Sequence, residues 1–532
     1  MMSMDLQPPF PAAADKPEQP SEWRPSPDGA AARGVAWTRL LPSWPLLIGL
    51  FGLARALAAG RAVLNDPDTY LHIAAGRWML AHRALPLHDP FSHTMAGAAW
   101  APSEWLAELV IAITYGAGGW SALVVLGAVC FAAALAILTR LLLRRLDPLC
   151  ALVAAGAAAA LLLPHLLMRP HALALPVLVL WCGLLLAARD AGRAPPWRLL
   201  PLMALWANLH GSFLFGIALA GFLAGEAVLQ AGSAPDRRRE AVRWGGFALA
   251  ALVAALLTPN GTDGLLQPFR LMSSPALQSA FIEWLSPDFR AFPALELWLL
   301  GALAIGFAGG VRLPPTRLLL LLGLVHMTLQ HVRHADLLGL VGPLAIAAPL
   351  MPGLGGGTSS LRAGLVRLAA PSAPPGIVAS VGIAAALAAP LILHPLIRGD
   401  DAVTPASALR GAGELGLSGP VFNSEGFGGY LAFRAVPTFI DGRIEMYGND
   451  FLAEDVAAEH GDPAALAALL DRYGVAWTLL MPQAGAVAVL DHLPGWQRVY
   501  ADAFAVIHRR RLEPFSGPVP EPFPGLSPDP GR

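Results

Sequence analysis

Charge is what this sequence most lacks. Only 14% of its 532 residues are Asp, Glu, Lys or Arg, against about 25% in ordinary soluble chains. With 55% of the residues hydrophobic and a mean hydropathy of +0.54, that deficit excludes a soluble globular enzyme and a disordered tail protein. The net charge of −1 gives no footing for a polyanionic partner, so no nucleic acid is expected. Lysine is almost missing, with Lys16 the only one; the basic residues are otherwise arginine, a compositional trait rather than a functional one. The three cysteines, Cys130, Cys150 and Cys182, all lie in apolar runs, which excludes a disulfide scaffold and a cysteine metal site. No internal repeat is evident, which counts against the duplicated architecture of many secondary transporters.

What is present is apolar sequence in membrane-length pieces. About 20 such residues cross a hydrocarbon core. The first run is Leu40 to Leu64, and others lie near 120–143, 149–164, 170–188, 197–210, 212–231, 244–259, 294–310, 317–332, 335–351 and 376–397. The first starts too late for a cleaved signal peptide and reads as a retained anchor. Arginines at 33 and 39, 144 and 145, 189 to 198, 237 to 243, 312 and 317, and 362 and 367 all fall on one side if eleven spans begin inside. Arg55 and Arg61 are the exceptions. The stretch Glu104–Tyr115 reads as a helix lying at the outer interface.

The expected fold is therefore an α-helical polytopic membrane protein of about eleven transmembrane helices with a C-terminal extracytoplasmic α/β domain. Residues 1–38 read as a disordered cytoplasmic tail, 39–397 as the transmembrane domain with its outer loop at 65–119, 398–512 as the periplasmic α/β domain, and 513–532 as a disordered Pro-rich tail. The α/β reading rests on short strand-like runs at Pro420–Asn423, Val436–Ile440, Val475–Leu480, Gln497–Tyr500 and Phe504–His508. Between them lie helix-like segments at Pro463–Arg472 and Ala484–Leu490.

Polar chemistry gathers in the outer loops. The first opens Asn65-Asp66-Pro67-Asp68-Thr69-Tyr70-Leu71-His72. An acidic pair at a membrane surface can bind a divalent cation, and a single carboxylate can serve as general base on a hydroxyl. The bland alternative is a solvated turn with Asp68 capping the next helix. The loop continues through Pro86 to His93 and reaches Trp100-Ala101-Pro102-Ser103-Glu104-Trp105, a density of His, acid and Trp unmatched elsewhere in the membrane part.

Arg169 and His171 sit at a second outer turn, where arginine suits a lipid phosphate or merely snorkels. Asn208 and His210 end the fifth span; they are either functional or part of a helix–helix hydrogen bond. His331, Arg333, His334 and Asp336 crowd a third turn, as a phosphate contact or as a plain charged turn, and their spacing fits no established metal pattern. Glu283, beside Trp284, suits either a sugar or interfacial anchoring. In the C-terminal part, Asn423-Ser424-Glu425-Gly426-Phe427-Gly428-Gly429-Tyr430 permits close backbone approach. There, Asp441-Gly442-Arg443 either contacts a substrate or makes a salt-bridged docking turn.

Taken together, these features resemble the C-type glycosyltransferase superfamily (GT-C), which includes protein O-mannosyltransferases, lipid A aminoarabinose transferases and oligosaccharyltransferase catalytic subunits. The segments that carry the likeness to a bacterial GT-C-like family are 68–77, Asp89-Pro90-Phe91-Ser92, Glu104-Trp105-Leu106, 206–211 and Asp441-Gly442-Arg443, across residues 40 to 510. The resemblance implies transfer of a sugar from a polyprenyl-phosphate donor to an envelope acceptor, on the periplasmic face of a bacterial inner membrane. It maps the family's acidic residue to Asp68 or Asp66, with Asp68 favoured. His72, Glu104, Arg169, His171, Asn208, His210, Glu283, His331, Arg333, Asp441 and Arg443 would bind substrate. Pro67 departs from the usual acidic pair, so the metal is left unassigned, with room for a divalent cation as cofactor. The expected partners are the lipid bilayer, the polyprenyl-phosphate-linked sugar and an unidentified acceptor. The rival reading is a non-catalytic envelope-assembly partner or transporter on the same scaffold, since fold does not fix function.

Overall fold

The computed structural model describes residues 41–272, 284–308, 312–350 and 360–511. The expected tails at 1–38 and 513–532, and Glu283, lie outside the described residues. Every apolar run read from the sequence is helical over most of its described length. In chain order the helices are α1 (Trp44–Ala59), α2 (Asp68–His82), α3 (Trp105–Leu142), α4 (Pro148–Leu162), α5 (Pro170–Asp190), α6 (Leu200–Leu209) and α7 (Phe213–Leu229). There follow α8 (Ala234–Glu240), α9 (Gly246–Ala255), α10 (Gly261–Met272), α11 (Pro293–Ala308), α12 (Pro315–Gln330), α13 (Ala335–Leu350), α14 (Ser360–Ala369) and α15 (Pro374–Leu393). Among the described residues, five helical segments are long and apolar enough to cross a membrane: Trp44–Leu64, Trp105–Leu142, Pro148–His165, Pro170–Asp190 and Pro374–Leu393.

Local chemistry sets the helix ends. Proline, preorganised for the first turn, opens α4, α5 and α15. Asp147 caps α4 by accepting from the Leu149 and Cys150 amides. Helix α3 is two helices joined at a break: Gly118 and Gly119 leave helical geometry, Gly119 with φ +60°, a conformation glycine adopts without a Cβ penalty. The break divides residues 105–117, which hold most of the Glu104–Tyr115 stretch expected at the interface, from the apolar rod after it.

The core of the membrane part packs α1, α3 and α5 most closely, joined by α4 and α13. Trp181, Phe131, Phe247 and Trp206 are fully buried in it. The ends of α5, α7 and α12 are tied by buried charge. Arg317 donates to Asp190 Oδ1 at 2.7 Å and to Glu226 Oε1 at 3.2 Å.

Residues 406–510 carry α16 (Ala406–Glu414), β1 (Val421–Asn423), α17 (Glu425–Phe433), α18 (Ile444–Tyr447), α19 (Asn449–Glu459), α20 (Pro463–Arg472), β2 (Trp477–Leu479), α21 (Gly485–His492), β3 (Trp496–Ala501) and β4 (Val506–Arg510). The four strands form one sheet in the order β1-β2-β4-β3, with β1 and β2 parallel and the other pairs antiparallel.

One expected strand is corrected. Val436–Ile440 does not join the sheet. Its backbone groups are satisfied elsewhere, as buried backbone must be. The Asn423 side chain accepts from Phe439 N at 2.8 Å and donates to Ile440 O at 2.9 Å. Thr438 exchanges hydrogen bonds with Phe91 and His93 of the first loop at 3.0 and 2.9 Å. The segment is thereby a seam between the loop and the C-terminal part.

Candidate functional site

The loop after α1 is shaped by its own aspartate. Asp66 Oδ1 accepts from the Asp68 amide at 2.8 Å, so Asp66, not Asp68, makes the turn that starts α2. Asp68 is the first helical residue, after Pro67, and its carboxylate is left for other partners. Thr69 Oγ1 donates to Met168 O at 3.1 Å, and Met168 N donates to Val63 O at 2.7 Å. These bonds pin the segment before α5 against the loop. Arg169 is extended there, φ −118° and ψ 166°, as a residue preceding proline prefers. Its guanidinium bridges the acidic pair: Nε lies 2.8 Å from Asp66 Oδ2, and Nη2 pairs with Asp68 Oδ2.

A second pair follows one helical turn on. Gly76 of α2 crosses α3 so tightly that a Cβ there would overlap the Glu108 carbonyl oxygen. His72, four residues earlier and hence on the same face, meets Glu108 Oε1 at 3.2 Å. Glu104 Oε1 lies 3.6 Å from His210 Nε2, and the His171 and His210 rings are 6.2 Å apart.

These groups surround one cavity of about 840 Å³. Asp68, His72, Glu104, Arg169, His171, His210 and Arg333 all line it. Arg333 also stacks over Trp284, 4.6 Å from the ring centroid. An apolar wall of Leu175, Leu178, Phe215, Leu219 and Phe222 completes it. Asn208 stands behind the wall: its amide accepts from Trp105 Nε1 at 2.7 Å and donates to Ala204 O and Leu257 O at 2.7 and 2.9 Å, which fixes the start of α3. His331 is also set back, its Nδ1 2.6 Å from Trp284 O.

The Asp441-Gly442-Arg443 turn enters from the C-terminal part. Arg443 is 3% exposed and donates through Nε and Nη2 to Asp441 at 2.8 and 2.7 Å and through Nη1 to Asp89. Phe91 and Trp100 flank the guanidinium at 5.0 and 4.7 Å. Its charge is therefore taken up in joining the outer loop to the C-terminal part. Asp441 is wholly buried and accepts from Thr438 as well. Gly442 lies directly on Asp68.

Burial sets the protonation of the site. It raises the Asp66 carboxyl to about 6, with Arg169 pulling down and Asp68 pushing up. It raises Glu104 to about 7, against the pull of His72. Burial works against the His72 imidazolium, yet the hydrogen bond and charge of Glu108 raise it overall. The cavity so offers a carboxylate as proton acceptor, two arginines for an anion, and in His72 an imidazole biased towards its charged form. Among the described residues, no group of three or more His, Cys, Asp or Glu side chains is arranged to hold a metal ion.

Three further acids of this cavity lie outside the substrate-binding set expected from the sequence. Glu108 and Glu445 line it, the latter accepting from Trp100 Nε1 at 3.3 Å. Glu425 also lines it, inside the glycine-rich segment that the sequence marks for close approach.

No family model and no curated protein sequence matches the chain. Among solved structures it is similar to ArnT from Cupriavidus metallidurans bound to undecaprenyl phosphate, with 13% identity and a TM-score of 0.48 over 88% of this chain and 99% of that one. It is also similar to the arabinofuranosyltransferase AftD from Mycobacteria, with 16% identity and a TM-score of 0.43 over 88% of this chain and 41% of that one. At such identities and TM-scores the likeness assigns no residue a role.

Proposed function

We propose that this protein is a membrane glycosyltransferase that moves a sugar from a polyprenyl-phosphate donor to an acceptor hydroxyl at the outer leaflet. In this reading eleven spans place the N-terminus inside a bacterial inner membrane and residues 398–512 in the periplasm. The observation that carries it is convergence. Asp68, Glu104, Arg169, His171, His210 and Arg333 come from separate turns of the chain and line one cavity with an apolar wall.

Each part then has work to do. Arg169 and Arg333 supply the positive charge a departing phosphate needs. The apolar wall suits the first isoprene units of the lipid. Asp68 accepts the proton of the acceptor hydroxyl as its oxygen bonds to the anomeric carbon. The carbon–oxygen bond to phosphate breaks, and the polyprenyl phosphate leaves with the electron pair. Asp66 shapes the turn and shares Arg169, so it orients Asp68 rather than reacting.

The test is transfer of radiolabel from polyprenyl-phosphate sugars in membranes carrying the wild type, Asp68→Asn or Asp66→Asn. Loss of a general base lowers the rate by about 10²–10⁴-fold, so Asp68→Asn should nearly abolish transfer and Asp66→Asn should weaken it less. Unchanged transfer in Asp68→Asn, or reporter fusions that put Asp68 in the cytosol, would overturn the reading in favour of a non-catalytic scaffold protein.

A further inference from the structure

The carboxyls around the Asp68 end of the cavity are nearly all engaged. Asp68 pairs with Arg169, Glu104 with His210, Glu108 with His72, and Glu445 with Trp100. Glu425 differs. It lines the same cavity, yet its carboxyl takes part in none of the hydrogen bonds or ion pairs found among the described residues.

Its placement is fixed by backbone contact. Helix α17, which Glu425 opens, packs along α2. A Cβ on Gly429 would overlap the Pro67 carbonyl oxygen, and one on Gly428 the Ile440 carbonyl oxygen. Only glycine allows such approach, and the result is a carboxyl from the C-terminal part held beside the Asp-Pro-Asp loop. Resting on the transferase reading, we propose that Glu425 is the acceptor-binding carboxyl of this cavity and holds an uncharged hydroxyl group against Asp68.

The chemistry of that end selects such a group. The nearby guanidinium groups already face acids, Arg169 between Asp66 and Asp68 and Arg443 between Asp89 and Asp441, and what Arg169 has left serves the donor phosphate. An anionic acceptor would stand against Asp68 and compete with the donor phosphate for Arg169. A hydroxyl can donate to one carboxyl and accept from another. Burial, and next the charge of Asp68, hold Glu425 well above the usual carboxyl range, so it can both donate and accept.

The test uses the full-length protein in proteoliposomes and dicyclohexylcarbodiimide, which adds to protonated carboxyls in apolar surroundings. Wild type should be modified at Glu425 and Glu425→Gln should lose that modified peptide. An alkyl glucoside should slow the modification by about tenfold, an occupancy effect worth about 1.4 kcal/mol, while the matching alkyl glucuronide should not. Glu425→Ala should raise the KM for the alkyl glucoside as surrogate acceptor far more than it lowers kcat, and Glu425→Gln, which keeps a donor and an acceptor, should recover part of that loss.

No labelling of Glu425, equal protection by both glycosides, or transfer unaffected by Glu425→Ala overturns this assignment and leaves the transferase reading standing. Selective protection in a protein that transfers no polyprenyl-phosphate sugar overturns the transferase reading alone and keeps Glu425 as a hydroxyl-binding group.

Discussion

The main chain of Gly442 rests on the carboxylate of Asp68, so closely that an added Cβ would overlap Asp68 Oδ1. A residue of the C-terminal part thus limits where the proposed base can sit. Gly442→Ala should push Asp68 off Arg169. Misplacement of about 1 Å can lower a rate by about 10²-fold. Label transfer should fall by that order, while far-ultraviolet circular dichroism stays unchanged.

Arg169 offers two different nitrogens to two aspartates, a fork that lysine lacks. Arg169→Lys should therefore keep the fold and lose about 10²–10³-fold in transfer, the scale for removing one donor to developing charge. Arg169→Ala should do worse, because it also strands Asp66, which is 4% exposed. Adding Asp66→Asn to Arg169→Ala should restore part of the thermal stability, measurable as a rise in unfolding temperature.

Glu104 gives the pH dependence. Its native carboxyl holds a proton up to about 7, whereas the ordinary value is 4.5. Between those values the folded protein binds more protons than the unfolded chain, so stability falls as pH rises through that window. Glu104→Gln should flatten the fall, which for a site partly open to the cavity is on the order of 2 kcal/mol. Unfolding temperature measured from pH 4.5 to 7.5 checks the sign.

Asp89 and Arg443 form a buried pair with Asp441. Removing one partner of such a group costs about 3–5 kcal/mol. Asp89→Leu should expose the seam at Thr438, seen as faster proteolysis between residues 434 and 443 and faster amide exchange at His93 and Thr438. Arg443→Met should show the same cleavage.

Much of this was readable because the physics is local. Apolar runs of fixed length become helices, and Pro170 sets the backbone of Arg169. The cluster of His and acid after α1 marked the loop that does line the cavity. Other features depend on partners far along the chain. Asp89 and Arg443 are 354 residues apart, and nothing in either segment names the other. Val436–Ile440 has the composition of a strand, yet the Asn423 side chain and the first loop take its hydrogen bonds. The glycines at 428 and 429 signalled close approach, but Gly429 approaches Pro67 of the Asp-Pro-Asp loop and Gly428 the Ile440 carbonyl, rather than a ligand. Glu425 hid among them, because a lone acid at a helix start has a commonplace explanation.

The break at Gly118 and Gly119 has its own consequence. An unbroken 38-residue rod would stretch about 57 Å, nearly twice the hydrocarbon thickness, and would carry Glu104 and Glu108 away from the bundle into open solvent. The glycine pair separates the leading third of α3, which packs on α2 at Gly76, from the rod that follows. Gly119→Ala, strained at φ +60°, would loosen Glu104 from His210 and Glu108 from His72.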